Sequence, residues 1–163
     1  MDSSTWKTVV VWVVGLFGLC LHQQAMAQDL IIVGTGSTME ASQDWLSFLE
    51  TQEVPCVVVN PAEFGEHKKG DYVVVIGSMD ESEDIKAILK EVLTTEEMDW
   101  ISQPGNGNMY VKTDVWTPGQ KVIVIAGSHQ IITEQARKAT REDWFELLTD
   151  WFDIETTDLL RAY

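Results

Sequence analysis

Three stretches of this chain repeat one phrase, an apolar run closed by glycine and a small hydroxyl residue. They are Leu30-Ile31-Ile32-Val33-Gly34-Thr35-Gly36-Ser37, Tyr72-Val73-Val74-Val75-Ile76-Gly77-Ser78 and Val122-Ile123-Val124-Ile125-Ala126-Gly127-Ser128. An unbroken β-branched run that passes through a turn residue into a helix is how a strand buried on both faces of a parallel sheet reads. A half-exposed strand would alternate polar and apolar residues instead. The fold class that follows is α/β, with the glycine turns gathered at the carboxyl end of one sheet.

The remaining elements fall around those strands. Helix-forming periodicity follows the first run over Met39–Thr51, with Ser37 or Thr38 as its cap and Trp45, Leu46, Phe48 and Leu49 as its apolar side. Cys56–Val59 is a further strand, and Asn60-Pro61 starts a short turn through Phe64. After Tyr72–Ile76 the spacing of Ile85, Ile88, Leu89 and Val92 predicts a helix over Asp80–Leu93. A short helix over Thr95–Ile101 stops before Pro104-Gly105-Asn106-Gly107. Met109–Val115 alternates, and the turn Trp116-Thr117-Pro118-Gly119-Gln120 leads into Lys121–Ile125, which predicts an antiparallel hairpin. A last helix begins after Ser128 and extends to about Asp150 or beyond, with Ile132, Ala136, Trp144, Phe145, Leu148 and Phe152 facing inward. Alternating strands and helices give right-handed crossovers and helices on both faces. The expected architecture is a three-layer sandwich over a mostly parallel, flavodoxin-like sheet with an antiparallel edge hairpin. Its first strand lies between the second and third.

Residues 1–27 read as a secretory signal: Lys7, an apolar stretch Thr8–Leu21 and the small pair in Ala25-Met26-Ala27. At about 14 residues the stretch is shorter than the roughly 20 a spanning helix needs. Gln28 is then the first mature residue, 28–152 a single α/β domain and 153–163 an acidic tail. The expected location is extracytoplasmic, secreted or at the cell surface, without an integral span. Cys56 then stands without a disulfide partner, inside an apolar strand that suits an inert thiol. The formal charge of −15 argues against nucleic acid and anionic lipid, because each phosphate contact would meet like charge.

Motifs for chemistry are few. Gly34-Thr35-Gly36-Ser37-Thr38-Met39 has two glycines of a dinucleotide fingerprint, but Met39 takes the third position and Asn60 closes the second strand where an acid belongs. No Gly-Lys-Ser/Thr makes a P-loop. What remains is a capped turn whose free amides could hold an anion, with Ser78 and Ser128 contributing from the neighbouring strand ends. The loop is similar to the phosphate loop of flavodoxins, whose resemblance implies flavin binding. The later loops Gly77-Ser78-Met79-Asp80-Glu81 and Gly127-Ser128-His129-Gln130 carry no aromatic to sandwich a flavin. His129 near Ser78 or Ser128 could form a hydrolase pair, yet no Gly-x-Ser-x-Gly elbow is present. Asp80-Glu81-Ser82-Glu83-Asp84 matches no calcium loop, and acids in a first helical turn suit the helix dipole. His67 lies in a charged loop. No catalytic residue, metal site or cofactor is assigned. Trp45 and Trp144 fall at core spacing, whereas Trp116, in a hairpin turn, is either a contact surface or folds back over the sheet.

The stretch Tyr72–Thr140 resembles a recurring α/β domain of archaeal and bacterial S-layer and envelope proteins. The matching parts are the strand Tyr72–Gly77, the glycine-bracketed strand from Gly107-Asn108-Met109, the turn Trp116–Gln120 and the closing Val124-Ile125-Ala126-Gly127-Ser128, with Thr133 and Ala136 in the helix after. The resemblance implies a non-catalytic module that binds an envelope protein or associates with itself. Two alternatives from other classes stand beside it: a small anionic ligand or flavin binder at the glycine loops, and a Ser/His hydrolase.

Overall fold

The computed structural model describes residues 29–154. The signal at 1–27 and most of the tail at 153–163 lie outside the described residues. Among the described residues no helix is long and apolar enough to cross a membrane.

Five strands, β1 (Leu30–Val33), β2 (Cys56–Val59), β3 (Tyr72–Ser78), β4 (Gly107–Thr113) and β5 (Lys121–Gly127), form one sheet in the order β2-β1-β3-β5-β4. All neighbours are parallel except β4 and β5, which form the expected antiparallel edge hairpin. The helices are α1 (Gly36–Ala41), α2 (Gln43–Thr51), α3 (Glu83–Val92), α4 (Thr95–Ser102), α5 (Gln130–Ala139) and α6 (Arg141–Phe152), with a 3₁₀ helix at Pro61–Glu66.

The period-two geometry of a strand sends alternate residues to opposite faces, and both faces are covered here. Leu30, Ile32, Val74, Ile76, Ile123 and Ile125 pack under α1, α2, α5 and α6, with Trp45, Trp144, Leu148 and Trp151 above them. Ile31, Val33, Val73, Val75, Val122 and Val124 face Phe64, Ile85, Leu89 and Ile101 from the 3₁₀ helix, α3 and α4. This doubly covered sheet is the physical reason the central strands carry polar residues only at their ends.

Several boundaries differ from the sequence expectation, each for a local reason. The first helix is two, because the chain turns at Ser42, whose φ of −105° and ψ of 15° leave the helical range. The last helix is likewise divided at Thr140, which swings α6 so that Trp144, Leu148 and Trp151 reach the sheet. β3 runs on to Ser78 and β5 to Gly127, since Gly77 pairs with Ala126 and Ser78 with Gly127. Helix α3 therefore starts at Glu83, with Ser82 as cap, rather than at Asp80. β4 begins two residues early, at Gly107. Ile154, assigned to the tail, packs against the aromatic side of the core.

The glycines of the repeated phrase do a different job from turning the chain. A Cβ on Gly77 would lie 2.3 Å from Cγ1 of Ile85, and one on Gly127 would lie 2.7 Å from the backbone nitrogen of Thr133. Neither residue has a positive φ. They are glycine because the Ile85 side chain of α3 and the backbone of α5 press against their strands. Thr133 uses that approach, donating its hydroxyl to the Gly77 carbonyl at 3.1 Å.

Candidate functional site

In a sheet of this order the crevice between the diverging loops of β1 and β3 is where ligands bind. Thr35 leaves β1 in extended conformation and caps α1, its Oγ1 accepting from the Thr38 amide at 3.4 Å. Gly36 and Ser37 are the exposed first residues of α1. Ser37 and Thr38, the expected caps, lie inside α1, and Ser78 and Ser128 cap no helix; the caps are Thr35 and Ser82, and His129 precedes α5 without a side-chain bond. A hydroxyl caps only where the backbone has already left the strand, and at Ser78 it has not.

Glu81 reaches across from the β3–α3 loop into the β1 loop. Its Oε1 accepts from the hydroxyls of both Thr35 and Thr38, and its Oε2 accepts from the Ser78 amide at 2.7 Å. Ser78, fully buried, donates its own hydroxyl to Asp80 Oδ1 at 2.6 Å. The fold thus brings Gly34, Thr35 and Ser78 together, but around a carboxylate of the chain itself. An external anion would find these donors engaged and Glu81 and Asp80 beside them, where like charge opposes it. Sequence reasoning missed Glu81 and Thr38 as members of this cluster. Placing β1 beside β3 was the available signal, because it sets an acid-rich loop against a hydroxyl-rich one.

Ser128 lies apart from that cluster. Its Oγ accepts from the Gly105 amide at 3.1 Å and its amide donates to the Asn106 carbonyl at 2.9 Å, fastening the turn before β4 onto the end of β5. The Ser78 hydroxyl donates to Asp80 while Ser128 Oγ accepts from Gly105, and none of the described hydrogen bonds joins either serine to His129. Among the described residues no group of three His, Cys, Asp or Glu side chains converges as a metal site.

Trp116 folds back over the sheet. Its ring meets Phe64 edge-on at 5.0 Å between centroids, and Nε1 donates to Glu91 at 2.8 Å. The Lys68 ammonium lies 5.8 Å from the ring centroid and bridges to the same Glu91 at 2.6 Å. Fully buried Gln120 holds the turn, donating to the carbonyls of Lys68 and Gly70 and accepting from the Trp116 amide. These contacts make Trp116 a brace for the hairpin.

Exposed large apolar side chains are Trp100, Val111 and Ile131, each set apart, and two adjacent ones, Val57 and Val58, at the free edge of β2. Val57 and Val58 are 37% and 49% exposed, and β2 has a neighbour on one side only. Edge strands are ordinarily guarded by lysine, proline or a bulge. β4, the opposite edge, follows that rule with Lys112, which pairs with Glu97 at 2.6 Å. β2 is short, four residues, but its Cys56-Val57-Val58-Val59 carries no charge and no proline. Beside it a groove of about 450 Å³ includes Leu46, Val54, Cys56 and Val58, with Glu50 and Glu53 at its rim. Burial pushes the Cys56 thiol up from its ordinary pKa, and the charges of Asp29 and Glu50 push it further the same way. The thiol is therefore protonated and unreactive at neutral pH, and the groove is acidic.

No protein-family model, curated protein or solved structure matches the chain.

Proposed function

We propose that this chain is an exported, non-catalytic interaction module of the cell envelope, and that it binds a partner protein by adding a strand to the β2 edge. The unguarded, half-exposed Val57-Val58 edge is the observation that carries this reading. A partner strand laid along it gains backbone hydrogen bonds, while its side chains enter the groove between β2 and α2. The acidic rim of Glu50 and Glu53 specifies a partner segment flanked by lysine or arginine. A second copy of this chain is disfavoured, since it would bring the same acids and another net charge of −15 to the contact. Export and the envelope setting draw on the apolar leader and on the likeness to envelope-protein domains. Glu81 supports the non-catalytic part, because it takes the Thr35 and Thr38 hydroxyls and the Ser78 amide and sets an acidic side chain beside the loop.

The test is capture of partners from envelope extract of the chain's own host, with a photo-crosslinking residue at position 57. The proposal expects one crosslinked protein, lost in Val58→Lys, a substitution at a half-exposed site that leaves stability within about 0.5 kcal/mol. Crosslinks that persist in the folded Val58→Lys variant, or a crosslinked second copy as the only product, would overturn it.

A further inference from the structure

A second feature lies on the other side of α2. Where α2 meets the junction of α5 and α6, a cleft of about 400 Å³ opens to the surface. Trp45 and Phe48 from α2 and Trp144 and Phe145 from α6 form its apolar walls. They are locked edge to face, Trp45 on Trp144 at 5.3 Å and Phe48 on Phe145 at 5.0 Å between centroids. The break at Thr140 turns the basic end of α5 and the start of α6 toward the same opening, so that Arg137, Lys138 and Arg141 line it together. Asp44 is the only acid in the lining. With Glu134, which bonds Arg137 and Lys138 just outside the lining, three cations meet two anions, still a basic balance in a chain with a net charge of −15.

Two details show donors without enough acceptors. Arg137, only 3% exposed, spends Nε on Glu134 and Nη2 on Glu134 and Asp44, all at 2.8 Å, which leaves the Nη1 side of its fork. Trp45, 2% exposed, has its indole Nε1 buried with no partner among the described residues. A buried donor left unmade costs about 1–3 kcal/mol, and the Trp45 ring that carries it lines the cleft. Lys138 bonds Glu134 at 3.0 Å and keeps two further donors in solvent. Arg141 is already engaged and adds charge.

We infer that this cleft binds a small organic carboxylate: the acid group sits among Arg137 and Lys138, and an aromatic or aliphatic body lies against Trp45 and Phe48. Arginine favours the planar, two-oxygen acceptor that a carboxylate offers. The aromatic walls require an apolar body, which free phosphate lacks. The volume falls within the range of about 300–1,000 Å³ typical of small-molecule sites. This inference is independent of the β2 edge.

Titration calorimetry with phenylacetate and hexanoate tests it, with phenylacetamide and inorganic phosphate as controls. One of the two acids is expected to saturate at millimolar concentration or below, and phenylacetamide to bind at least about tenfold more weakly. Lys138→Gln, at an exposed position, and Trp45→Phe, which keeps the wall and removes the donor, should each weaken the acid about threefold or more while the thermal transition stays cooperative. Failure of both acids to saturate by about 10 mM, equal binding of the amide, or affinity unchanged in both variants would overturn it. Binding of phosphate as tightly as the acids would do so too, reducing the cleft to a basic patch.

Discussion

Replacing Gly77 by alanine sets a methyl group 2.3 Å from Cγ1 and 3.0 Å from Cδ1 of Ile85. Ile85 is fully buried on α3, and its β-branched side chain has little rotamer freedom in a helix, so the helix itself must lift from β3. Overpacking of this kind costs about 1–3 kcal/mol. The substitution also stiffens the unfolded chain, which returns about 0.4–1 kcal/mol. A net loss of about 1–2 kcal/mol follows, and with a urea slope of about 2 kcal/mol/M the midpoint falls by roughly 0.5–1 M. Ile85→Ala alone costs about 2–5 kcal/mol through the cavity it leaves. In the double variant the new methyl occupies part of that cavity, so its loss should be smaller than the sum of the single losses by at least about 1 kcal/mol. Gly36→Ala is the control, because a Cβ there meets nothing within 4 Å and the residue is helical. It should match or exceed wild-type stability. A Gly77→Ala protein as stable as Gly36→Ala, or strict additivity in the double variant, would refute the view that these glycines exist for helix approach.

Other substitutions probe the polar framework. Burial raises the Glu134 carboxyl, but hydrogen bonds from Arg137 and Lys138 outweigh it and hold its pKa below the usual range. The stability it contributes is therefore complete above its unfolded value of about 4.3 and is lost as pH falls through the lower folded value. Glu134→Gln should cost about 2–3 kcal/mol at pH 7 by leaving buried Arg137 with Asp44 as its remaining carboxylate, and the gap to wild type should close in acid melts. Trp116→Ala removes the Phe64 contact and the bond to Glu91, and should lower stability by about 2 kcal/mol in urea melts without abolishing capture at β2. Thr94 and Glu97 form a reciprocal capping box on α4, and Thr94→Ala should cost about 1 kcal/mol, seen in the same melts. Glu81→Ala strands the buried Ser78 amide and should cost about 1–3 kcal/mol; inorganic phosphate should restore part of that loss, read as a rise in melting temperature, if the emptied seat accepts an anion.

Strands were the most legible part of this chain because a doubly buried strand leaves an unmixed β-branched run, and Leu30–Val33 begins and ends where its run does; Cys56–Val59 does so too, although its edge is exposed. Helix starts were harder. At Gly77-Ser78 the turn residues suggest an exit from the sheet, yet pairing with Ala126 and Gly127 keeps them in it, a tertiary effect with no local mark. Apolar periodicity likewise runs through Ser42 and Thr140, since the residues on both sides face the same core; the breaks come from the angle at which each short helix must cross the sheet. In the candidate sites, the glycine loop was visible and its occupant was not. Glu81 is one acid in a run of several, and only the adjacency of β1 and β3 selects it. The cleft beside Arg137 joins residues 93 positions apart, Asp44 and Arg137, and no local pattern announces it. Arg137 also shows how sequence position misleads, for it stands in a basic last helical turn that suits the dipole and is nonetheless buried.

The proposed role of the β2 edge is open to direct measurement by hydrogen–deuterium exchange over residues 54–60, in the chain alone and in the chain bound to protein captured from host envelope. Strand addition predicts that exchange across this segment slows on capture while β4 is unchanged, and that folded Val58→Lys shows neither capture nor protection. Unchanged exchange at β2 in a captured complex, or slowing confined to another segment, would contradict it.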